Sequence, residues 1–290
     1  MHIGLICNPT AGGGKAARSA ERAAREFERL GFAVEAVSTT ARFEATAQAA
    51  RLARVTDALV VVGGDGTINE VVNGLKGIQI PLGIIPSGSV NVLSLELGLP
   101  RSVEKACAVV ATGRQRSLDV GVVNGRRFTL MVGVGFDALT VKNLDLTAKR
   151  RYGEAAFVAT ALRPHVRREG PDFVVHVGRR RFIANFAVAA NTHYYGGRFG
   201  VARRARPDDG LLDVVAFRDR SFVGQISFWM GALAGWAGLH PSAAETRADR
   251  LDFVPYGDGE PVWYQVDGEL AGQLPAEVEV DPSALSVFVL

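Results

Sequence analysis

The chain has 290 residues, 48% of them hydrophobic and 22% charged, with a formal net charge of +3. That balance excludes a disordered or low-complexity chain, and the length allows two domains with buried cores. Only Cys7 and Cys107 are cysteines, which excludes a disulfide framework and points to a reducing, cytoplasmic setting.

The opening MHIGLICNPT has neither the basic n-region nor the cleavage site of a secretory signal. His2 to Cys7 reads as a buried strand. Ala16 to Leu30 carries small and apolar residues at helical spacing and stops at Gly31. Ala33 to Ser38 is a predicted strand and Phe43 to Arg54 an amphipathic helix. Ala58 to Val62 is a wholly apolar strand running into Gly63 and Gly64. Thr67 to Leu75 follows as a helix, Leu82 to Ile85 as a strand, Val103 to Thr112 as a helix, and Gln115 to Val123 leads into a strand. Strands alternating with helices, with glycine-rich loops at strand ends, predict an α/β doubly wound parallel sheet.

Beyond about residue 120 the pattern changes to short β-like runs separated by turn residues. These are Phe128–Val132, Phe173–Val177, Phe182–Ala189, Leu212–Phe217, Leu251–Val254, Val262–Val266, Glu277–Val280 and Ser286–Leu290. They predict a C-terminal antiparallel β-sandwich domain with a helical insertion over Leu146–Val166. The expected domains are 1–124 and 125–290, with the last strand returning to the first domain. No linker separates them, so the active site is expected in a cleft between the two.

The longest apolar stretch, Ile226 to Leu239, is too short to span a bilayer. It fits a core helix, or a membrane-docking helix with Trp229 and Trp236 two turns apart on one face. Charge is unevenly spread: 14 Lys and Arg against 4 Asp and Glu from Lys142 to Arg206, then 4 against 14 from Pro207 to Leu290. The two segments either neutralise each other in the fold or leave a basic face for an anionic membrane. The basic clusters are Lys149–Arg151, Arg167–Arg168, Arg179–Arg181 and Arg203–Arg204. No aromatics are interleaved for base stacking, so nucleic acid is not the expected partner. The sequence leaves monomer and homodimer both open.

Three glycine-rich loops carry the chemistry. Gly63, Gly64, Asp65, Gly66, Thr67, Ile68 and Asn69 follow a buried strand and open a helix. Glycines there let backbone N–H groups approach a phosphate, and the helix N-terminus adds positive potential. Asp65 suits a Mg²⁺ ion, directly or through water, and Thr67 can donate its hydroxyl; a turn capped by Asp65 is the plain alternative. Asn8, Pro9, Thr10, Ala11, Gly12, Gly13, Gly14 and Lys15 likewise join a strand to a helix, but lack the first glycine and the Ser/Thr of a Walker A loop. The third loop is Pro86 to Asn91, containing Ser89. Three such loops at one edge of a sheet point to a nucleotide.

NPTAGGGK, GGDGTINEVVNGL and PSGSVNVLSLELGLP, in that order and spacing, resemble the diacylglycerol kinase catalytic domain family, which includes bacterial lipid kinases and sphingosine kinases. The resemblance continues through GVGFDA (133–138), NTHYYGGRF (191–199), RPDDGLLDV (206–214) and VDGEL (266–270), and so covers nearly the whole chain. It implies an ATP and Mg²⁺ site at Asn8, Pro9, Thr10, Ala11, Gly12, Thr39, Gly63 to Asn69 and Ser89. It also implies a structural Mg²⁺ on the Asp209 carboxylate and the backbone carbonyls of Arg206 and Leu211. The catalytic base would lie in Asp267-Gly268-Glu269, with Asp267 preferred and Glu269 assisting, and Asp65 would serve catalysis at the phosphates. A lipid hydroxyl needs such a carboxylate to take its proton; a hairpin turn with solvated acids is the plain reading of the same residues. Ser89 stands where many members have Thr, and Val92 where many have Asp.

The implied function is an ATP- and Mg²⁺-dependent lipid kinase acting on diacylglycerol, a sphingoid base or a similar lipid, in peripheral contact with an anionic membrane. A kinase of a soluble substrate such as NAD shares the GGDGT logic but leaves the DGE run and the basic segment unexplained. A non-catalytic lipid- or nucleotide-binding module has no use for Asp65, Asp267 and Glu269. GVGFDA also fits a relaxed dinucleotide fingerprint, with Glu154 as the ribose acid, but its surroundings read as antiparallel β. The five histidines show no metal-ligand spacing, and no GxSxG elbow occurs.

Overall fold

The computed structural model describes residues 1–143, 171–195, 200–257 and 259–290. The helical insertion expected over Leu146–Val166, the clusters Lys149–Arg151 and Arg167–Arg168, and Glu154 and His165 lie outside the described residues. The chain forms two compact units, Met1–Asp119 with Pro282–Leu290, and Val120–Asp281.

In the first unit, β1 (His2–Cys7) pairs in parallel with β2 (Ala33–Ser38) and β3 (Ala58–Gly63), and β3 pairs in parallel with β4 (Leu82–Pro86). Val287, near the C-terminus, pairs with Leu82 on the far side of β4. All six residues of β3 are buried, as a parallel strand covered on both faces requires. The helices are α1 (Ala11–Arg29), α2 (Glu44–Leu52), α3 (Asp65–Gly74), α4 (Val92–Glu96) and α5 (Val103–Thr112). Ala16, Ala23 and Phe27 of α1 and Ala106, Cys107 and Val110 of α5 pack on Ile3, Leu5, Val60 and Val62. α2 and α3 pack together as a second helical pair. This is the parallel, doubly wound α/β arrangement that the alternation predicts.

Two local features differ from expectation. The first helix begins at Ala11, not Ala16, but Gly12, Gly13 and Gly14 have φ of 60°, 68° and 87°. Regular helix therefore starts at Lys15, and the three glycines form a left-handed loop that L side chains disfavour. The five-residue α4 was not predicted, because a stretch that short carries no readable period. Cys7 and Cys107 are buried; burial pushes their thiols up to about 11 and about 12.

The second unit is a sandwich of two antiparallel layers. One follows the order β12 (Ala243–Ala248), β11 (Leu212–Phe217), β10 (Phe186–Ala190), β7 (Met131–Gly135), β14 (Trp263–Val266), β15 (Glu269–Gln273). The other contains β13 (Arg250–Pro255), β8 (Phe173–Val177), β9 (Arg180–Ala184), the start of β16 (Ala276–Phe288), and the hairpin of β5 (Gln115–Val123) with β6 (Arg126–Phe128). Alternate residues such as Val132, Val134, Val214 and Val266 meet Phe173, Val175, Phe253 and Val278 in one core. The run Phe182–Ala189, expected as one strand, divides at Asn185 between the two layers. Its side-chain amide donates to the Arg218 carbonyl at 2.6 Å, and its backbone carbonyl accepts from Phe136. The two strands expected over Glu277–Val280 and Ser286–Leu290 are one, β16.

The outer face of the β7, β10 and β11 layer is covered by α6 (Phe136–Lys142) and α7 (Phe222–Leu233). Phe228 of α7 stacks on Phe217 at 4.3 Å and meets Phe186 edge-on at 5.4 Å.

Candidate active site

Because β1, β3 and β4 are parallel neighbours, the loops at their C-terminal ends come together. Ser87 N–H donates to the Gly63 carbonyl at 2.9 Å, and Asn8 N–H to the Val62 carbonyl at 3.3 Å. A Cβ on Gly12 would stand 2.0 Å from the Ser87 carbonyl oxygen, and one on Gly88 would stand 2.6 Å from Gly64 Cα. The three loops thus touch backbone to backbone, at distances that only glycine allows. Asn8 Oδ1 accepts from both the N–H and the hydroxyl of Thr10, closing the first loop. Thr39 joins it from the end of β2, its N–H donating to the Cys7 carbonyl at 2.8 Å. Pro9, Ala11, Gly64 and Gly66 are half-buried, Thr10 and Ser89 are exposed, and Gly63, Ile68 and Asn69 are buried. Left-handed glycines beside a helix N-terminus present N–H groups to an anion, so the donor set fits a nucleotide phosphate chain.

Two side chains in this cluster have duties that the sequence did not show. Thr67 is buried and packs over Gly63, where a Cβ would meet its own at 2.7 Å. Asp65 fastens the third loop: its carboxylate accepts from the N–H groups of Val92 at 3.0 Å and Leu93 at 3.3 Å, capping α4 rather than its own helix. Asn91 closes that loop from within, bonding Gly88 through both ends of its amide. A carboxylate at the edge of a phosphate cradle is a hard oxygen ligand, so Asp65 also suits a hydrated Mg²⁺.

In the second unit, Asp267 and Gly268 form the two-residue turn between β14 and β15, with φ of 48° and 82°. The run is therefore the hairpin turn of the plain reading, with its acids held in place. The Asp267 carboxylate accepts from the N–H groups of Thr129, Leu130 and Met131 at 2.9, 3.0 and 3.0 Å, and from the Thr129 hydroxyl at 3.2 Å. Its role in this geometry is to bind the turn to the chain between β6 and β7. Glu269 is one-third exposed and pairs with Arg126 at 2.9 Å.

Beneath the turn lies a buried polar chain. Asp137, on the first turn of α6, is 1% exposed. It accepts a short hydrogen bond from the Tyr195 hydroxyl and one of 2.7 Å from Gln265 Nε2. Gln265 Oε1 then accepts from the Gly268 N–H at 2.6 Å. Burial pushes the Asp137 carboxyl up to about 6. Gly133 is glycine for this pair's sake: a Cβ there would lie 1.4 Å from the Asp137 carboxylate and 2.6 Å from Gln265 Nε2. GVGFDA is thus a β-strand leading into α6, not a dinucleotide loop. Asp137 and Tyr195 lie in GVGFDA and NTHYYGGRF, runs that carry the resemblance but imply no role for them, and Gln265 and Arg126 have no signal in the sequence.

Asp209 stands elsewhere in this unit. Its carboxylate is paired with Arg247, whose Nε also contacts Asp213 at 3.1 Å. Leu211 N–H donates to Asp209 at 3.2 Å, and the Arg206 guanidinium lies 3.8 Å from Asp208. Asp213 is fully buried, and its other oxygen accepts no hydrogen bond among the described residues. The guanidinium already supplies the positive charge these two carboxylates need, so a metal ion at Asp209 would have to displace Arg247. No group of three or more His, Cys, Asp or Glu that could hold a metal occurs among the described residues. The implied Mg²⁺ set is of another kind, one carboxylate and two backbone carbonyls, and a metal ion there would compete with Arg247 for Asp209.

Residues 2–123 match the diacylglycerol kinase catalytic domain family, and residues 130–289 match the YegS C-terminal NAD kinase beta sandwich-like domain. Over 296 aligned positions the chain is 31% identical to a diacylglycerol kinase of Mycobacterium tuberculosis, covering 99% of this chain and 94% of that one. Identity to a diacylglycerol kinase of Bacillus subtilis is 30%, over 94% and 91% of the two chains. A crystal structure of a diacylglycerol kinase from Bacillus anthracis shares the fold, with a TM-score of 0.79 over 100% of this chain and 97% of that one, at 22% identity.

Proposed function

Because the chain belongs to the diacylglycerol kinase family, we propose that it transfers the γ-phosphoryl group of ATP to the hydroxyl of a lipid, diacylglycerol or a sphingoid base being acceptors of the fitting class. Three glycine-rich loops in backbone contact at the ends of β1, β3 and β4 carry this assignment. The N–H groups of those loops and of the α3 N-terminus bind the phosphates. Mg²⁺, held through water by Asp65, would neutralise charge on the phosphate oxygens.

Glu269 is the proton acceptor in this proposal. Asp267 is committed to four donors, whereas Glu269 is partly exposed and paired with Arg126. As the lipid oxygen bonds to the γ-phosphorus, the bond to the ADP oxygen breaks and the hydroxyl proton passes to Glu269. Arg126 holds that carboxylate in one orientation.

The acceptor is insoluble, and no helix among the described residues is long and apolar enough to cross a membrane. A peripheral contact is proposed through α7. Phe222, Val223, Ile226 and Met230 are exposed along one side of it, at 55%, 75%, 37% and 60%, and Trp236 follows at 59%. A helix apolar on its outward as well as its inward side suits an interfacial position. Trp229 does not share that side with Trp236; it packs inward on Phe186 and Tyr195. Arg179 to Arg181, Arg203, Arg204 and Arg218 are exposed and would favour anionic lipid.

The test is radiolabelled ATP offered with vesicles containing diacylglycerol, sphingosine or phosphatidylglycerol, and separately with NAD, with the product identified by mass spectrometry. NAD is included because residues 130–289 match a domain described as NAD kinase beta sandwich-like. A phosphorylated lipid is expected; phosphorylated NAD and unlabelled lipid would replace this assignment with the soluble-substrate one.

A further inference from the structure

The buried chain from Tyr195 through Asp137 and Gln265 to the Gly268 N–H has a direction. A carboxylate only accepts, so it receives the Tyr195 hydroxyl on one oxygen and Gln265 Nε2 on the other. That fixes which way the Gln265 amide faces: its nitrogen toward Asp137, its oxygen toward the Gly268 N–H. Gly268 sits between Asp267 and Glu269, so the orientation of one buried amide sets the height of the turn that carries both acids.

The arrangement is expensive. Asp137 is buried among neutral donors, and no ion pair to it occurs among the described residues. An ionised group so placed lowers stability unless its polarity is used. Asparagine would fit the same space and would still accept from Tyr195. It would present an N–H₂ where Asp137 presents an oxygen, and Gln265 would turn over to meet it. Gln265 Nε2 would then face the Gly268 N–H, two donors with nothing between them. Gly133 leaves the space for the pair and nothing larger.

We infer that Asp137 and Gln265 are a polarity-matched pair that positions the Asp267–Glu269 turn for phosphoryl transfer. This rests on the assignment of Glu269 as proton acceptor. Neither residue touches the reacting groups; both act through the Gly268 backbone and are positioning residues.

The test is a polarity swap in the full chain. Asp137→Asn alone, and Gln265→Glu alone, each set like against like. Together they restore a donor facing an acceptor at every step. The introduced amide at position 137 would donate to one oxygen of the introduced carboxylate at position 265, while Gly268 N–H donates to the other, with the buried charge unchanged. Three quantities are measured: kcat and KM for ATP with the lipid that the wild type uses best, hydrogen exchange at the Gly268 amide, and the thermal midpoint. Each single variant is expected to lose at least about tenfold in kcat, with KM for ATP within about twofold of wild type and faster exchange at Gly268. The double variant is expected to recover most of the kcat and the protection.

Wild-type kcat and Gly268 protection in Asp137→Asn would overturn the inference. So would a folded double variant no better than the singles. If the singles do not fold, the double variant alone decides, since it must then be both folded and active. Full activity in Glu269→Gln, with the swap still visible in Gly268 exchange, would remove the acceptor assignment and leave the pairing standing.

Discussion

The two halves of the proposed chemistry are built from different materials. The phosphate loops of the first unit are made of backbone: glycines at positive φ, carbonyls in van der Waals reach, and N–H groups at a helix start. The acid turn of the second unit is made of side chains: Asp267 on three amides, Glu269 on Arg126, and a buried Tyr195–Asp137–Gln265 chain beneath. A backbone site tolerates no added atom, whereas a side-chain site tolerates atoms but not a reversed polarity. Steric substitutions should therefore break the first and isosteric ones the second.

The largest effect is expected at Asp65, where both materials meet. Asp65→Ala removes the carboxylate proposed for Mg²⁺ and also uncaps Val92 and Leu93. Turnover should fall to background and nucleotide affinity should weaken, while circular dichroism stays native; wild-type turnover would end the nucleotide-site assignment. Glu269→Gln comes next. It keeps shape but loses the base and the charge that pairs with Arg126, so kcat should fall by about 10²–10⁴ with KM for ATP little changed. A variant that instead lost ATP affinity would place Glu269 at the nucleotide. Gly12→Ala adds one methyl 2.0 Å from the Ser87 carbonyl at a positive φ. The strain of at least about 1 kcal/mol should weaken ATP binding several-fold, read by titration calorimetry, and leave the acid turn unaffected. Unchanged affinity would mean that the loops do not need their contact.

Smaller effects test the outer surface and the buried acid. Met230→Asp on α7 should weaken binding to anionic vesicles by about tenfold, the equivalent of about 1.4 kcal/mol, with activity on a short-chain soluble lipid retained. Equal vesicle binding would exclude α7 as the contact. Asp137 is held up at about 6 by burial, above its usual 3.8. Its folded state binds the proton more tightly than the unfolded one, so its contribution favours the fold at low pH and is lost as pH rises from about 4 to 6. The difference in thermal midpoint between wild type and Asp137→Asn should change across that window and be flat above it. A difference curve without that step would mean that Asp137 ionises normally.

The same contrast decided what could be read from the chain. Glycine runs after apolar strands announce a backbone site, because the residue type is itself the geometric requirement; Gly12, Gly64 and Gly88 were legible on that account. The parallel alternation and the antiparallel runs revealed the fold class in the same way, through periods of about 3.6 and 2. The partners of the acid turn were not legible. Gln265 and Tyr195 meet Asp137 across 128 and 58 residues, and nothing local marks a glutamine as half of a pair. Arg247 was equally silent: it reaches Asp209 from a neighbouring strand 38 residues on, which no motif spacing records. Asp65 was legible as a charged residue in a phosphate loop but not as the cap of α4, a helix too short to predict. The split of Phe182–Ala189 at Asn185 was hidden because both halves are equally apolar, and only the side-chain amide bonded to Arg218 marks the change of layer.

The two cysteines matter for handling the molecule. Cys7 lies under α1, its thiol donating to the Ala16 carbonyl, and Cys107 faces the same helix. Both are packed atoms of a hydrophobic core rather than reagents, and as thiols they resist alkylation and oxidation at neutral pH. The chain is in effect a blank background for thiol chemistry. A single cysteine placed on the outward side of α7 would react far faster than either native one, and a dye attached there would report the polarity around that helix with neither native cysteine removed.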